Sequence, residues 1–152
     1  MLNPLFFALG LANGILLTVI FVLRANPDRM GALRRVGIAY LLLAIPAALV
    51  IYVGVREGGA VRHIIFLSIF LAFLAIEGLY DFVLEIPFRT NFRRNWKLLV
   101  PYLALYYAMN YGFVVMPWRA SLAWGIVMAV LFAVQIVANI VSHPRSSDGE
   151  AQ

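Results

Sequence analysis

The chain has 152 residues, of which 64% are hydrophobic and 12% carry a charge. A soluble domain usually has about 25% charged residues, and a chain this short cannot bury so much apolar surface inside its own core. The composition therefore excludes an ordinary water-soluble globule and predicts a membrane protein. The net charge is +5, but the basic residues lie between long apolar runs, so we do not expect nucleic acid as a partner.

Five apolar segments are long enough to cross about 30 Å of hydrocarbon as helices. The sequence thus predicts an all-α fold, a polytopic membrane protein with a bundle of five transmembrane helices. A single transmembrane domain covers residues 1–141, and the tail over residues 142–152 is expected to be disordered and cytoplasmic. The predicted spans are residues 4–23, 36–55, 64–86, 98–116 and 121–141.

The basic residues divide unequally between the two sides of the predicted bundle, nine on one side and three on the other. Lysine and arginine concentrate in cytoplasmic loops. We therefore predict a multi-pass protein of the cell membrane (the inner membrane if bacterial), with the N-terminus outside and the C-terminus in the cytoplasm. The nine residues are Arg24, Arg29, Arg34, Arg35, Arg89, Arg93, Arg94, Lys97 and Arg145.

The first two spans carry features of helix packing. Gly10 and Gly14 lie one helical turn apart, and small residues at this spacing let another helix approach closely. The partner is either a helix of the same chain or, as a second interpretation, another copy or another membrane protein. Pro46 removes one backbone hydrogen bond from the second span and predicts a kink.

The third span contains the main chemical signal, an acidic stripe of Glu77, Asp81 and Glu85. Residues four apart share one helix face and lie about 6 Å apart along its axis. Acidic residues inside a membrane rarely face lipid, so we expect the first two to face the bundle interior. No basic residue lies within the apolar core of a predicted span, so neutral partners are expected: Asn13, Tyr106, Tyr107, Asn110, Gln135 and Asn139.

The segment after Pro87 has aromatic and basic residues in two matched series at four-residue spacing. This pattern predicts a short interfacial helix between the third and fourth spans, with rings in the acyl boundary and cations near lipid phosphates. Its partners would be anionic headgroups of membrane lipids, and a plain membrane anchor is the simpler interpretation. The candidate interface residues are Glu85, Arg89, Arg93, Arg94, Lys97 and Trp96.

No catalytic, metal or cofactor site is predicted. The chain has no cysteine, and its two histidines, His63 and His143, fall at opposite faces of the predicted membrane. No nucleophile–base pair, phosphate loop or nucleotide fingerprint is present.

Two family resemblances are limited to general features. Five helices in about 150 residues resemble the architecture of the tryptophan-rich sensory proteins, a porphyrin-binding family, but only three tryptophans are present. The acidic stripe is similar to those of intramembrane prenyl- and phosphatidyl-transferases, which hold a diphosphate with Mg²⁺ on several aspartates. A second acidic cluster is missing here, so neither resemblance identifies a family.

Three functions stay open at this point. The leading hypothesis is a non-enzymatic protein that binds or translocates a small molecule, proton or cation at Glu77 and Asp81. The alternative is a structural or accessory subunit of a membrane complex, in which the polar residues only hold helices together. A weaker alternative is a lipid-modifying enzyme at the cytoplasmic interface, which would use Glu85 and the basic residues after it.

Overall fold

The structure, a computed structural model, describes residues 2–84 and 92–142, apart from the side chains of Leu2, Pro27 and residues 92–94. Within these ranges the chain is helical and contains no strand, so the predicted all-α class is confirmed. The helices are α1 (Leu2–Arg24), α2 (Met30–Leu41), α3 (Ala44–Arg56), α4 (Val61–Gly78), α5 (Phe92–Ala120) and α6 (Leu122–Ser142). A 3-10 turn covers Pro27–Arg29, and a π-helical segment, Leu79–Val83, continues α4.

Five helical segments of the described chain are long and apolar enough to cross a membrane, as predicted. Their outer surfaces are apolar: on α6, the side chains of Val130, Val137 and Ile140 are 58%, 60% and 67% exposed. Apolar surface of this kind favours lipid over water as the surrounding medium. The segments are Asn3–Arg24, Met30–Arg56, Val61–Val83, Asn95–Ala120 and Leu122–Ser142.

The second segment is longer than its predicted span and is interrupted in the middle. It begins at Met30 rather than near residue 36, and Leu42 and Leu43 form a turn between α2 and α3. Pro46 then falls in the first turn of α3, where a missing backbone donor is tolerated. The helix is thus interrupted just before Pro46, the residue from which a kink was predicted.

Helix α1 packs inside the bundle, against α2, α3, α5 and α6. Its two glycines face other helices of the same chain. A Cβ atom on Gly10 would lie 2.9 Å from Met128 and Phe113, and one on Gly14 would lie 2.2 Å from Leu131. The small residues therefore let α6 approach α1 closely within the chain, while pairing with a second copy stays a prediction.

Three phenylalanine rings fill the bundle between its middle and the end where α1 and α4 begin. Phe6, Phe70 and Phe113 are at most 2% exposed, and the ring of Phe113 lies 5.2 Å from each of the other two. Such tilted and edge-on contacts are favourable for aromatic rings. We call these three residues the phenylalanine cluster; it separates the polar residues of the middle from those at that end.

Candidate functional site

The two deeper acidic residues come from consecutive helical segments. Glu77 belongs to the last turn of α4 and is 4% exposed, whereas Asp81 is in the π-helical segment and its side chain is 24% exposed. Single π-helical turns inside α-helices occur frequently at functional sites. Both acids face inward, towards α1 and α2, as the cost of exposing them to lipid requires.

The acidic pair contacts a cation, which the sequence did not predict. The guanidinium of Arg24 lies 3.2 Å from the Asp81 carboxylate, which it hydrogen-bonds, and 3.9 Å from that of Glu77. Arg24 falls just after the first predicted span, residues 4–23, and in the structure it is the last residue of α1. A long arginine side chain at a helix end can reach back along the bundle, and its charge stabilises both carboxylates.

A cleft of about 500 Å³ opens beside the acidic pair. Its walls come from α1, α2, α4 and the π-helical segment, and both carboxylates line it. Arg34 on α2 lies in the same lining and is exposed to the surroundings. The other lining residues are Ile20, Met30, Gly31, Leu33, Gly37, Tyr40 and Phe82.

Tyr40 connects the cleft to the polar middle of the bundle. Its ring is fully buried, and its hydroxyl donates a 2.8 Å hydrogen bond to Oδ1 of Asn13, which is 1% exposed. Tyr40 and Glu77 both line the cleft. Asn13 is therefore one hydrogen bond away from the cleft instead of in its wall.

A second polar group, on α5 and α6, is separate from the cleft lining. The Tyr106 hydroxyl donates a 3.2 Å hydrogen bond to Oε1 of Gln135, and the Asn110 amide donates to the Tyr106 carbonyl oxygen. All three residues are at most 3% exposed. Tyr107 lies beside Tyr106 but is 53% exposed, so it faces the outside of the bundle.

The candidate interface residues lie only partly within the described chain. Glu85 falls outside it, and so do residues 88–91, including Arg89, of the predicted interfacial helix. Arg93 and Arg94 belong to the start of α5, whose helical path is interrupted at Asn95 (φ −108°, ψ 17°). Trp96 is 51% exposed, and the Lys97 ammonium lies 6.0 Å from the centroid of its ring.

Residues 2–84 and 92–142 hold no group of three or more histidine, cysteine or carboxylate side chains that could bind a metal ion. Comparison with protein-family models, with characterised proteins and with solved structures gives no match to this chain. The geometry of the site is therefore the basis for a functional proposal.

Sequence reasoning missed two residues above all: Arg24, which contacts both carboxylates, and Tyr40, which lines the cleft. The position of Arg24 in the sequence could have indicated this contact. Arg24 directly follows the first predicted span, and Asp81 lies near the same end of the third. The two residues are therefore at a similar depth in the predicted membrane. Tyr40 sits in the second span on the face that meets α1, but the sequence alone does not show which face that is.

Proposed function

We propose that this chain is a multi-pass membrane protein that binds a small molecule, proton or cation at Glu77 and Asp81. The observation that carries the proposal is the cleft of about 500 Å³ with both carboxylates in its wall. Ligand sites are typically concave, mostly apolar and supplied with a few converging polar groups. Residues that serve only to join helices have no need of an open cleft beside them.

The two carboxylates can accept hydrogen bonds from a ligand with a positive or hydrogen-donating group, which would share them with Arg24. Carboxylates accept hydrogen bonds and attract cations, and Glu77 presents one at depth, where the low dielectric strengthens the attraction. Arg24 contacts both acids and holds them in place. Arg34 at the lining could in turn bind an anionic group, so a zwitterionic molecule also fits.

The experiment uses the full chain in lipid nanodiscs and follows thermal stability as probe cations are added. The probes are protons, sodium, ammonium and a small primary amine. A ligand that binds only the folded state raises its stability in a saturable way. We expect at least one probe to do so, and Glu77→Gln and Asp81→Asn each to weaken it about tenfold or more, since a charge-assisted hydrogen bond contributes about 1.5–3 kcal/mol.

Glu57→Gln is the matched control, because Glu57 is an exposed carboxylate just after α3. It should bind the probe as the native chain does. If no probe gives saturable stabilisation, or if the double variant binds as well as the native chain, the binding proposal is wrong. The accessory-subunit alternative then replaces it.

The proposed orientation has the N-terminus outside and the C-terminus in the cytoplasm, so the Arg24 end of the bundle faces the cytoplasm. The nine-to-three bias of basic residues supports it. Reporter fusions at Arg29 should give a cytoplasmic signal, and fusions at Gly58 an external one. A cytoplasmic signal at Gly58 contradicts the orientation.

We also propose that residues 88–96 lie on the inner membrane surface and contact anionic headgroups. The support is the matched spacing of rings and cations, together with the exposed Trp96 beside Lys97. Spin labels at Phe92 and Arg94 should then differ in their access to a water-soluble quencher, with Phe92 protected. Equal access for both labels excludes a surface helix.

A further inference from the structure

A second cavity lies at the opposite end of the bundle from Arg24 and has a volume of about 310 Å³. The beginnings of α1, α4 and α6 and the last turn of α5 enclose it. Neither of the two polar clusters described above contributes to it. The residues that matter here are Asn3, Phe6, Phe7, His63, Ser121 and Trp124.

His63 is the buried polar residue of this cavity. It is 8% exposed, and its Nδ1 atom is buried without a hydrogen bond of good geometry, although the imidazole lies close enough to the Ala60 backbone to interact with it. A buried polar atom left unsatisfied destabilises the fold, so such atoms are rare in folded proteins and each one calls for an explanation. The cavity beside His63 is the space from which a ligand could satisfy the imidazole.

The walls of the cavity are aromatic and uncharged. The Phe6 ring meets the His63 ring edge-on at 5.1 Å, and the Phe7 and Trp124 rings lie 4.2 Å apart. The lining contains no lysine, arginine, aspartate or glutamate. Trp124 is half-exposed on the apolar outer surface, so the cavity borders the surroundings of the bundle there. A neutral, ring-shaped ligand suits these walls, because flat rings pack favourably against aromatic side chains.

We propose that this cavity binds the ring of a neutral, membrane-soluble quinone, with His63 hydrogen-bonded to a ring oxygen. The volume corresponds to about ten water molecules, which suits a one- or two-ring headgroup and not a whole lipid. Asn3 and Ser121 supply further hydrogen-bonding groups. An apolar tail would leave past Trp124 into the surrounding lipid.

This site does not depend on the cleft at Glu77. The phenylalanine cluster lies between the two, and Phe6 belongs to the cluster while also lining the quinone cavity. Loss of binding at one site therefore leaves the other measurable, and either proposal can fail alone.

The first experiment titrates short-chain benzoquinone and naphthoquinone probes into the full chain, labelled with ¹⁵N-histidine, in nanodiscs. The chain has two histidines, so the imidazole signals are assigned with one variant, His143→Gln. We expect saturable binding and a shift of the His63 ring nitrogens that follows the same isotherm. Partition of the probe into lipid without a His63 shift overturns the proposal.

The second experiment compares variants by equilibrium dialysis. His63→Phe keeps a flat ring and removes both nitrogens, and we expect it to weaken quinone binding about tenfold, the loss of one hydrogen bond in a buried site. His63→Asn should restore part of the affinity. Arg62→Gln, an exposed neighbour, should bind as the native chain does. Unchanged quinone affinity in His63→Phe rules the site out. If that variant does not fold, the titration of the native chain is the deciding test.

Discussion

The two ends of the bundle are built from different chemistry. One end closes with charges: Arg24 meets Asp81 at 3.2 Å and Glu77 at 3.9 Å, beside an open cleft. The other end closes with rings, among them Phe6, Phe113 and the His63 imidazole. In a membrane, burial of apolar groups no longer drives folding, so close packing and polar contacts hold the helices together. The two ends therefore differ in the contacts that they offer: ion pairs at one and packed rings at the other.

The largest effect is expected at the charged end. Arg24→Met leaves two inward-facing carboxylates without their guanidinium, and breaking a buried ion pair costs about 3 kcal/mol or more. We expect a loss near the lower limit of this range, because the side chains of Arg24 and Asp81 are 21% and 24% exposed. Unfolding by SDS titration in mixed micelles measures the loss. Arg56→Met at the other end, where the arginine lies over the Tyr52 ring, should change stability by less than about 1 kcal/mol.

If Arg24→Met costs no more than Arg56→Met, the ion pair does not hold the charged end together. Adding Asp81→Asn to Arg24→Met should recover part of the lost stability, because it removes one of the stranded charges. A double-mutant cycle measures this coupling directly.

A smaller loss is expected at the ring end. Phe113→Ala opens a space where two rings of the phenylalanine cluster meet, and such truncations cost about 3–5 kcal/mol in water-soluble cores. Transfer to lipid contributes little here, so we expect about 2 kcal/mol, mostly from lost packing. The same SDS titration applies. Trp118→Ala, half-exposed on the outside, is the control and should cost less.

Between the two ends, Gly14→Ala tests close packing alone. Its Cβ would lie 2.2 Å from a methyl group of Leu131, and overpacking of this kind costs about 1–3 kcal/mol. Gly31→Ala is the control, since a Cβ there has nothing within 4 Å. Equal stabilities for the two variants would show that α1 and α6 are not held at the distance described.

The smallest effect is expected for the hydrogen bond behind the cleft. Tyr40→Phe removes the donor to Asn13 and keeps the ring, and hydrogen bonds between membrane helices contribute about 0.6 kcal/mol on average. We expect a loss of about 1 kcal/mol, because Asn13 is left buried. Tyr107→Phe, an exposed tyrosine, should be neutral. A loss above about 2 kcal/mol would place Tyr40 in a larger polar network.

Features set by residues close together in the sequence could be predicted, whereas contacts between residues far apart in the sequence could not. Apolar runs predict five helices because the length of each span is a local property, and the Gly10–Gly14 pair predicts a close approach for the same reason. The partner of Asp81 is not local: it is 57 positions away in sequence. An arginine next to an apolar run is predicted to lie in a loop. Its pairing with Asp81 becomes apparent only when the depths of the two spans in the membrane are compared.

The cavity at His63 is still harder to predict. A single histidine at the start of a span looks like an interface residue, and its burial results from the way Phe6 and the end of α5 cover it. The π-helical segment that carries Asp81 likewise has no signature in the sequence. Boundaries such as Met30 differ from prediction because arginines in the first turns of α2 continue the helix past the apolar run.

The position of the phenylalanine cluster also has a consequence for the proposed cation binding, because it bears on how that binding would depend on a membrane potential. Voltage falls mainly across dry, weakly polarisable material, and moving one elementary charge through the whole drop changes its energy by about 2.3 kcal/mol per 100 mV. A cation that enters the cleft and stops at Glu77 stays on one side of the three rings and crosses only part of the field. Its binding is therefore expected to depend only weakly on voltage.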